Sequence, residues 1–499
     1  MHQRSLPPFP GLGPFLTHLE ERGELATVAA PVSMRLELTE IHRRVIAAGG
    51  PVLRLTRALD RHGAPAGLPV VANLFGTAGR VAAGLGTDVA GLGRLGALLA
   101  FLRTPQPPQS LRHARQMVPA ARSALQARPK MVGAPREWRN ADPDFSLLPV
   151  QTCWPGDAGP LITWPVVVTR APGRDDTGTY NLGIYRMQVI GRDRAILRWL
   201  PMRGGAAHHR QWQARGEEMP VAVVIGADPA TLLAAVMPAP DGVSELALAG
   251  MIGGRRAELA PCATIPLHVP ASAEIVLEGT VAPAETALEG PFGDHTGYYN
   301  APEHYPVFRL KRLRIRDGAS YLTTFTGRAP DEPSVLAVAL LEVFKPLLRQ
   351  QMPEIVDVWL PPEACSYRIA VISIAKRYAG QARRAMMGFW SLLPQFSMTK
   401  MLIVVDDDID IRSWPDVMWA LATRMDPARD LMLVERTPID QLDFASPLEG
   451  LGGKAGFDAT RKIGAETARE WGVELEMDAA TRASVGERWR EFFPETGGD

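Results

Sequence analysis

LITWPVVVTR (161–170), NLGIYRMQVIG (181–191) and RAILRWLP (194–201) are apolar runs of strand length, separated by Gly, Pro and Asp clusters. β-Branched and aromatic residues dominate them, the composition of half-buried strands. PVAVVIGA (220–227), ASAEIVLEGTV (271–281) and FRLKRLRIRDG (308–318) repeat the pattern. The spacing predicts a β-rich region over 141–330, with VSELALAGMIG (243–253) as an apolar helix inside it.

On either side the pattern becomes α/β. Upstream, Leu36, Leu38, Ile41, Val45 and Ile46 recur at helical spacing until Gly49 and Gly50 stop the helix, and PVLRL and PVVANLF read as buried strands. RTPQPPQS (103–110) marks a boundary, and the basic stretch 111–140 reads as a connector. Downstream, helix and strand patterns alternate from SVLAVALLEVFKPLLRQQ onward, which predicts a mostly parallel sheet. Ser413, with Asp416 three residues on, signals a helix start, and ATRASVGERWREFF closes the chain as a helix suited to packing on a neighbour. The expected organisation is therefore a mixed α/β and β, multi-domain chain: 1–110 α/β, 111–330 β-rich, 331–499 α/β with a terminal helix.

Composition narrows the function. The 499 residues carry 54 Lys+Arg against 54 Asp+Glu, so no global positive field attracts nucleic acid. Hydrophobic residues are 46% of the chain, enough for folded cores. The cysteines Cys153, Cys262 and Cys365 lie too far apart for a disulfide framework or a zinc spacing and suit a reducing cytoplasm. No secretory leader is visible, and no apolar run approaches the ~20 residues of a membrane span, so the expectation is a soluble protein, free to touch a membrane surface.

Three familiar motifs fail on their context. Gly91-Leu-Gly93-Arg-Leu-Gly96 matches a dinucleotide fingerprint but lacks the preceding strand and the acid about twenty residues on, and reads as a turn into a helix. Gly450-Leu-Gly452-Gly453-Lys454-Ala455 lacks phosphate-loop spacing and its hydroxyl residue, and reads as a loop carrying a lysine. Asp406, Asp407 and Asp408 end a strand, where such residues more often cap loops than bind metal.

LEGPFGDHTGYYN (288–300) is different. Its three glycines and one proline enforce a non-repetitive backbone with Glu289 and Asp294 on either side of the bend, and Phe292, Tyr298 and Tyr299 are expected to wall the site. Two carboxylates in such a setting can hold different pKa values, one as acid and one ionised. In the 181–204 stretch, arginines beside glycines (Arg186, Arg198, Arg203, Gly204) suit a phosphate or a flat anion. In a regular strand Asn181 and Arg186 face opposite sides, so either they serve different ends of one ligand or a bulge separates them.

These segments, together with GADPATLLAAV, TGRAPDEP, LPPEACSYR, RMDPARD and DFASP, resemble the UbiD family of prenylated-flavin decarboxylases, in order, from near residue 15 to about 472. The resemblance implies a central split β-barrel that holds the flavin between N- and C-terminal α/β domains. It implies prenylated FMN, made by a separate flavin prenyltransferase, with a divalent metal, usually manganese, on the phosphate, and potassium as a further ion. Carried over, Asn181 and Glu245 are metal ligands. Ile184, Tyr185, Arg186, Arg198, Trp199, Leu200, Arg203 and Gly204 hold the cofactor. Asp294 is the proton donor, with Arg186 and Glu289 beside it. Asp294 would need a pKa raised by burial and by Glu289 to carry its proton near neutrality.

The same resemblance implies an aromatic carboxylic acid as substrate, a dimer or hexamer, and a cytoplasmic protein with peripheral contact at the inner membrane. The nearest branch is the ubiquinone one, converting 4-hydroxy-3-polyprenylbenzoate to 2-polyprenylphenol. Two departures stand out. A histidine that serves another branch as third metal ligand near Gly204 has no counterpart before His208, and Ala329 replaces a proline in TGRAPDEP. The rival readings are another aromatic or heteroaromatic acid within the same family, an ordinary FMN oxidoreductase, in which hydride transfer leaves the two carboxylates without a task, and a non-catalytic subunit, which the presence of Glu289, Asp294 and Arg186 disfavours.

Overall fold

A computed structural model describes residues 4–103, 110–174, 176–237, 243–392 and 396–493. Most of RTPQPPQS lies outside the described residues.

Nine strands form the central sheet, and every pair in it is antiparallel. From one edge to the other the order is Asn181–Ile184, Pro165–Thr169, Met219–Ile225, Ile275–Glu289, Glu303–Arg316, Arg194–Leu197, Met187–Val189 and Leu161–Ile162, with Trp138–Ala141 added to Glu303–Arg316. The chain order explains its curl. Leu161–Ile162 and Pro165–Thr169 lie toward opposite ends of this order, yet only Thr163 and Trp164 separate them in sequence. Asn181–Ile184 and Met187–Val189 are split in the same way by Tyr185 and Arg186. Three Cα steps span at most about 11 Å, so the two ends of the sheet must come together twice. The sheet is thus a curled half-barrel, and the dipeptides Thr163-Trp164 and Tyr185-Arg186 sit where its edges meet. The choice left open for Asn181 and Arg186 is answered by a break in the strand.

The N-terminal sheet runs Leu25–Val28, Val52–Leu55, Val70–Ala72 and then Tyr321–Leu322, so the chain returns to it after the half-barrel. In the C-terminal sheet the three central strands, Ile369–Ile374, Met401–Asp406 and Leu451–Ala459, are parallel, and the edges Ile355–Trp359 and Leu431–Pro438 are antiparallel. The 20-residue helix Glu332–Gln351 starts in a capping box of Asp331 and Ser334. Its Leu336, Leu340 and Phe344 belong to the main core and its Leu341 and Leu348 to the C-terminal one, so one helix joins both. Among the described residues no single helix is long and apolar enough to cross a membrane.

Several expectations are corrected. Residues 111–125 form a helix, not an unpatterned connector. The glycines Gly91, Gly93 and Gly96 lie inside the helix Val89–Arg103, not in a turn. A Cβ on Gly96 would stand 2.1 Å from the Val343 carbonyl oxygen, so this glycine lets two helix backbones touch. Gly452, Gly453 and Lys454 are in a strand, and Lys454 Nζ is buried against the carbonyls of Ser397, Thr399 and Pro438. The terminal helix breaks at Arg488 into Ala479–Glu487 and Trp489–Phe492. Asp406 and Asp408, expected as caps, instead pair with Arg424.

Candidate active site

The strand Ile275–Glu289 delivers Glu289 to the rim of the half-barrel, and Gly290 at φ +88° turns the chain away. The loop then closes on itself through Asp294 N to Tyr298 O (3.1 Å) and Asn300 N to Phe292 O (3.0 Å). Arg186 meets it from the strand break. Its Nε and Nη2 donate to the two oxygens of Glu289 (2.8 and 3.2 Å), its Nη1 to Asp294 Oδ2 (2.9 Å), and its Nη2 also to Asn300 Oδ1 (2.8 Å). Glu289 is fully buried and Asp294 7% exposed, so this is a desolvated network that depends on complete pairing.

Asp294 has further donors. Arg198 Nη1 donates to Oδ2 (3.0 Å), while the His295 ring and backbone nitrogen both lie 2.8 Å from Oδ1. Burial pushes the Asp294 carboxyl up, but the His295 hydrogen bond and the charges of Arg186, His295 and Arg198 outweigh it and hold it well below the usual carboxylate range. The expectation of a raised pKa is thereby corrected, because Arg198 and His295 had been given no part in this carboxylate's surroundings. Burial lowers His295, but Asp294 and Asp440 together raise it above an ordinary histidine.

A cavity of about 490 Å³ opens beside this network. Its lining combines Tyr185, Arg186, Arg198, Arg203, Asp294, His295 and Asp440 with an apolar set, Leu336, Leu340, Leu341 and Phe344 of the long helix with Leu360, Phe396 and Leu442.

Family models place this architecture. The N-terminal domain of 3-octaprenyl-4-hydroxybenzoate carboxy-lyase matches residues 16–99, its Rift-related domain 128–329 and its C-terminal domain 334–459. The chain belongs to the UbiD family. Similar solved structures include the UbiD-class enzyme HmfF from Pelotomaculum thermopropionicum in complex with FMN (29% identity, 92% of this chain and 96% of that chain, TM-score 0.74). An evolved dimeric form of HmfF in complex with prFMN matches at 28% identity, over 95% of this chain and 100% of that one, with a TM-score of 0.74. The closed form of vanillic acid decarboxylase from Sedimentibacter hydroxybenzoicus matches at 25%, over 98% and 99%, with a TM-score of 0.79. The protein is a carboxy-lyase of the UbiD family.

Of the residues expected in a UbiD site, Ile184, Tyr185, Arg186, Arg198, Leu200, Arg203 and Asp294 line the one cavity. Trp199 does not. It is buried against Tyr185 and His209, and Glu289 stands behind Arg186. Phe292 is buried under the Arg186 guanidinium, 5.2 Å from its ring centroid, whereas Tyr298 (67% exposed) and Tyr299 (41%) face outward and form no wall. Sequence reasoning missed Asn300, His295 and Asp440. The first two lay inside the quoted loop without an assigned task; nothing in the sequence around Asp440 pointed to it.

The cofactor ligands can be tested on close approach. Gly204 opens the helix Gly204–Gln213, and a helix N-terminus beside Arg203 suits a phosphate. A Cβ on Gly204 would lie 2.0 Å from Asn181 Oδ1 and one on Gly205 2.6 Å from Trp199 Nε1, so only glycine leaves this cradle open. Glu245 Oε2 accepts from Leu182 N (3.1 Å), which brings a carboxylate to the residue next to Asn181. An amide oxygen and a carboxylate oxygen are hard donors that suit magnesium or manganese. His208, read as too far along the chain, has Nδ1 3.0 Å from Thr169 Oγ1, the hydroxyl that Asn181 Nδ2 also reaches (3.4 Å). Among the described residues no cluster of three or more His, Cys, Asp and Glu stands ready for a metal. The residues present fit a two-ligand ion completed by phosphate and water.

Proposed function

We propose that this protein decarboxylates an aromatic acid without net oxidation, using prenylated FMN and a divalent ion, most suitably manganese, with Asp294 returning the proton. The observation that carries the reading is the Glu289–Arg186–Asp294 network beside a cavity lined by both charged and apolar side chains. When bound, prenylated FMN supplies the sink for the electron density that the departing CO2 leaves on the ring. The cofactor would rest on Ile184, Tyr185, Arg198, Leu200, Arg203 and Gly204, its phosphate on the helix N-terminus, and the ion on Asn181 and Glu245. Arg186 binds the substrate carboxylate end while its fork holds both oxygens of Glu289. The helix wall from Leu336 to Phe344 excludes water from the ring and so lowers the dielectric around these charges.

Gly204→Ala tests the cofactor part. The new methyl displaces Asn181, so bound metal and flavin should both fall while the melting temperature holds. Unchanged occupancy by metal analysis and flavin absorbance would remove Asn181 from the ion's ligands.

For the substrate, the first reading is 4-hydroxy-3-polyprenylbenzoate, supported by the apolar side chains of the long helix in the cavity lining, which can receive a tail. Such a tail partitions into lipid, so this reading implies a cytoplasmic protein working at the membrane surface, supplied by a flavin prenyltransferase and assembled as a homo-oligomer. The exposed Val473, Leu475, Trp489 and Phe492 of the C-terminal tail support assembly. The second reading is a small, tail-free aromatic acid, favoured by a cavity of only about 490 Å³ that must also hold the flavin. The test compares decarboxylation of prenylated substrate in vesicles with that of unprenylated hydroxybenzoates. The polyprenyl reading expects the prenylated acid to be faster; faster turnover of a tail-free acid selects the second.

A further inference from the structure

Three donors hold the Asp294 carboxylate, Arg186 and Arg198 on Oδ2 and the His295 backbone N–H on Oδ1, and the His295 ring Nδ1 lies 2.8 Å from Oδ1, donating when it carries the proton. A carboxylate so surrounded has no oxygen free to keep a resting proton of its own, because an O–H there would point at a donor. It can donate a proton only after receiving one. Guanidinium groups and backbone amides do not release protons at physiological pH, whereas imidazole does. Among the described side chains that hydrogen-bond Asp294, His295 is therefore the one able to load it.

The far side of the His295 ring is also specified. Its Nε2 is buried, makes no hydrogen bond, and faces Asp440 Oδ2 at 3.7 Å. Asp440 is fixed by the Tyr367 hydroxyl (2.9 Å) and by Arg368 (3.3 Å), all from the C-terminal part of the chain. The remaining charge near the ring is Asp331, at the cap of the long helix. Two carboxylates thus bracket one imidazole along a line that ends in the cavity.

Building on the decarboxylase reading, we propose that His295 is the proton reservoir of the site, loading Asp294 for transfer to the substrate carbon while Asp440 holds the ring in register. As CO2 leaves, the electron pair of the broken C–C bond becomes that of the new C–H bond. The proton passes from Asp294, which takes it from His295 Nδ1. No electrons are gained or lost overall. The neutral ring keeps its Nε2 proton toward Asp440 and regains one at Nδ1 from water as product leaves. His295 acts through Asp294 and is a positioning and supply residue. Both carboxylates favour the charged ring and Arg368 opposes it, with a net upward shift. The reservoir is full below that raised pKa and empties as pH climbs through it, so turnover falls on the alkaline side.

Two measurements test this. The first is the NMR titration of the His295 ring in cofactor-free protein. Its midpoint should lie above the ordinary value of about 6.5 and drop in Asp440→Asn and in Asp294→Asn. A midpoint at or below the ordinary value overturns the relay whatever reaction the enzyme performs. The second is kcat against pH for holoenzyme. His295→Gln, which keeps a side-chain donor toward Asp294, should retain KM and flavin content, lose about 10²-fold in kcat, and lose the alkaline limb seen in the wild type. An unchanged kcat with the same limb overturns the proposal. Absence of CO2 release by the wild type on every aromatic acid would instead overturn the decarboxylase reading and leave the titration as the judge of the pair.

Discussion

Arg186→Ala is expected to abolish nearly all turnover and to destabilise the fold together. The guanidinium makes two hydrogen bonds to Glu289, which is wholly buried, and one each to Asp294 and Asn300. Removing it strands a buried carboxylate, a change that costs about 3–5 kcal/mol when one partner of a buried pair is deleted. It also removes the charge proposed to meet the substrate carboxylate, so activity should fall by more than the about 10²–10⁴-fold typical of one positioned acid or base. Arg186→Lys restores the charge but not the planar fork, and should recover stability better than activity. Denaturant midpoints and CO2 release check both. Wild-type turnover in Arg186→Ala would show that the network is structural only.

Asp294→Asn should keep shape and substrate binding while losing about 10²–10⁴-fold in turnover, since the proposed proton donor is removed and a neutral isostere remains. KM should stay near the wild-type value, and deuterium incorporation into product from heavy water should slow with kcat. Glu289→Gln differs in kind, because it alters a group that does not line the cavity but hydrogen-bonds Arg186. It should weaken substrate binding as well as turnover. If Asp294→Asn retained turnover, Glu289 or a water would have to return the proton.

Much of this site was legible because its parts are contiguous in sequence. Asn181 to Arg186 and Leu288 to Asn300 each hold their residues within one short segment, so the segments could be singled out from spacing and composition, while the roles of their residues followed from the family resemblance. The placement of Arg186 was less so. It depends on two dipeptides, Thr163-Trp164 and Tyr185-Arg186, bridging opposite ends of the sheet order, which no local pattern encodes. Asp440 and Tyr367 join the site only through tertiary packing, far along the chain from His295. The protonation of Asp294 was misjudged for the same reason: the outcome turns on Arg198 and His295 converging on one carboxylate. Gly452 to Lys454 read as a loop because glycine is a poor strand former. Burial of Lys454 against three carbonyls, and of Gly456 against Met386 and Trp390, overrides that preference.

The most direct test of the central claim is CO2 release by protein co-produced with a flavin prenyltransferase, with the bound flavin weighed by native mass spectrometry. The account predicts a prenylated flavin mass and one CO2 released per molecule of decarboxylated arene, with no release from protein carrying plain FMN. Equal activity with plain FMN, or no CO2 from any aromatic acid in the presence of the prenylated flavin, would contradict it.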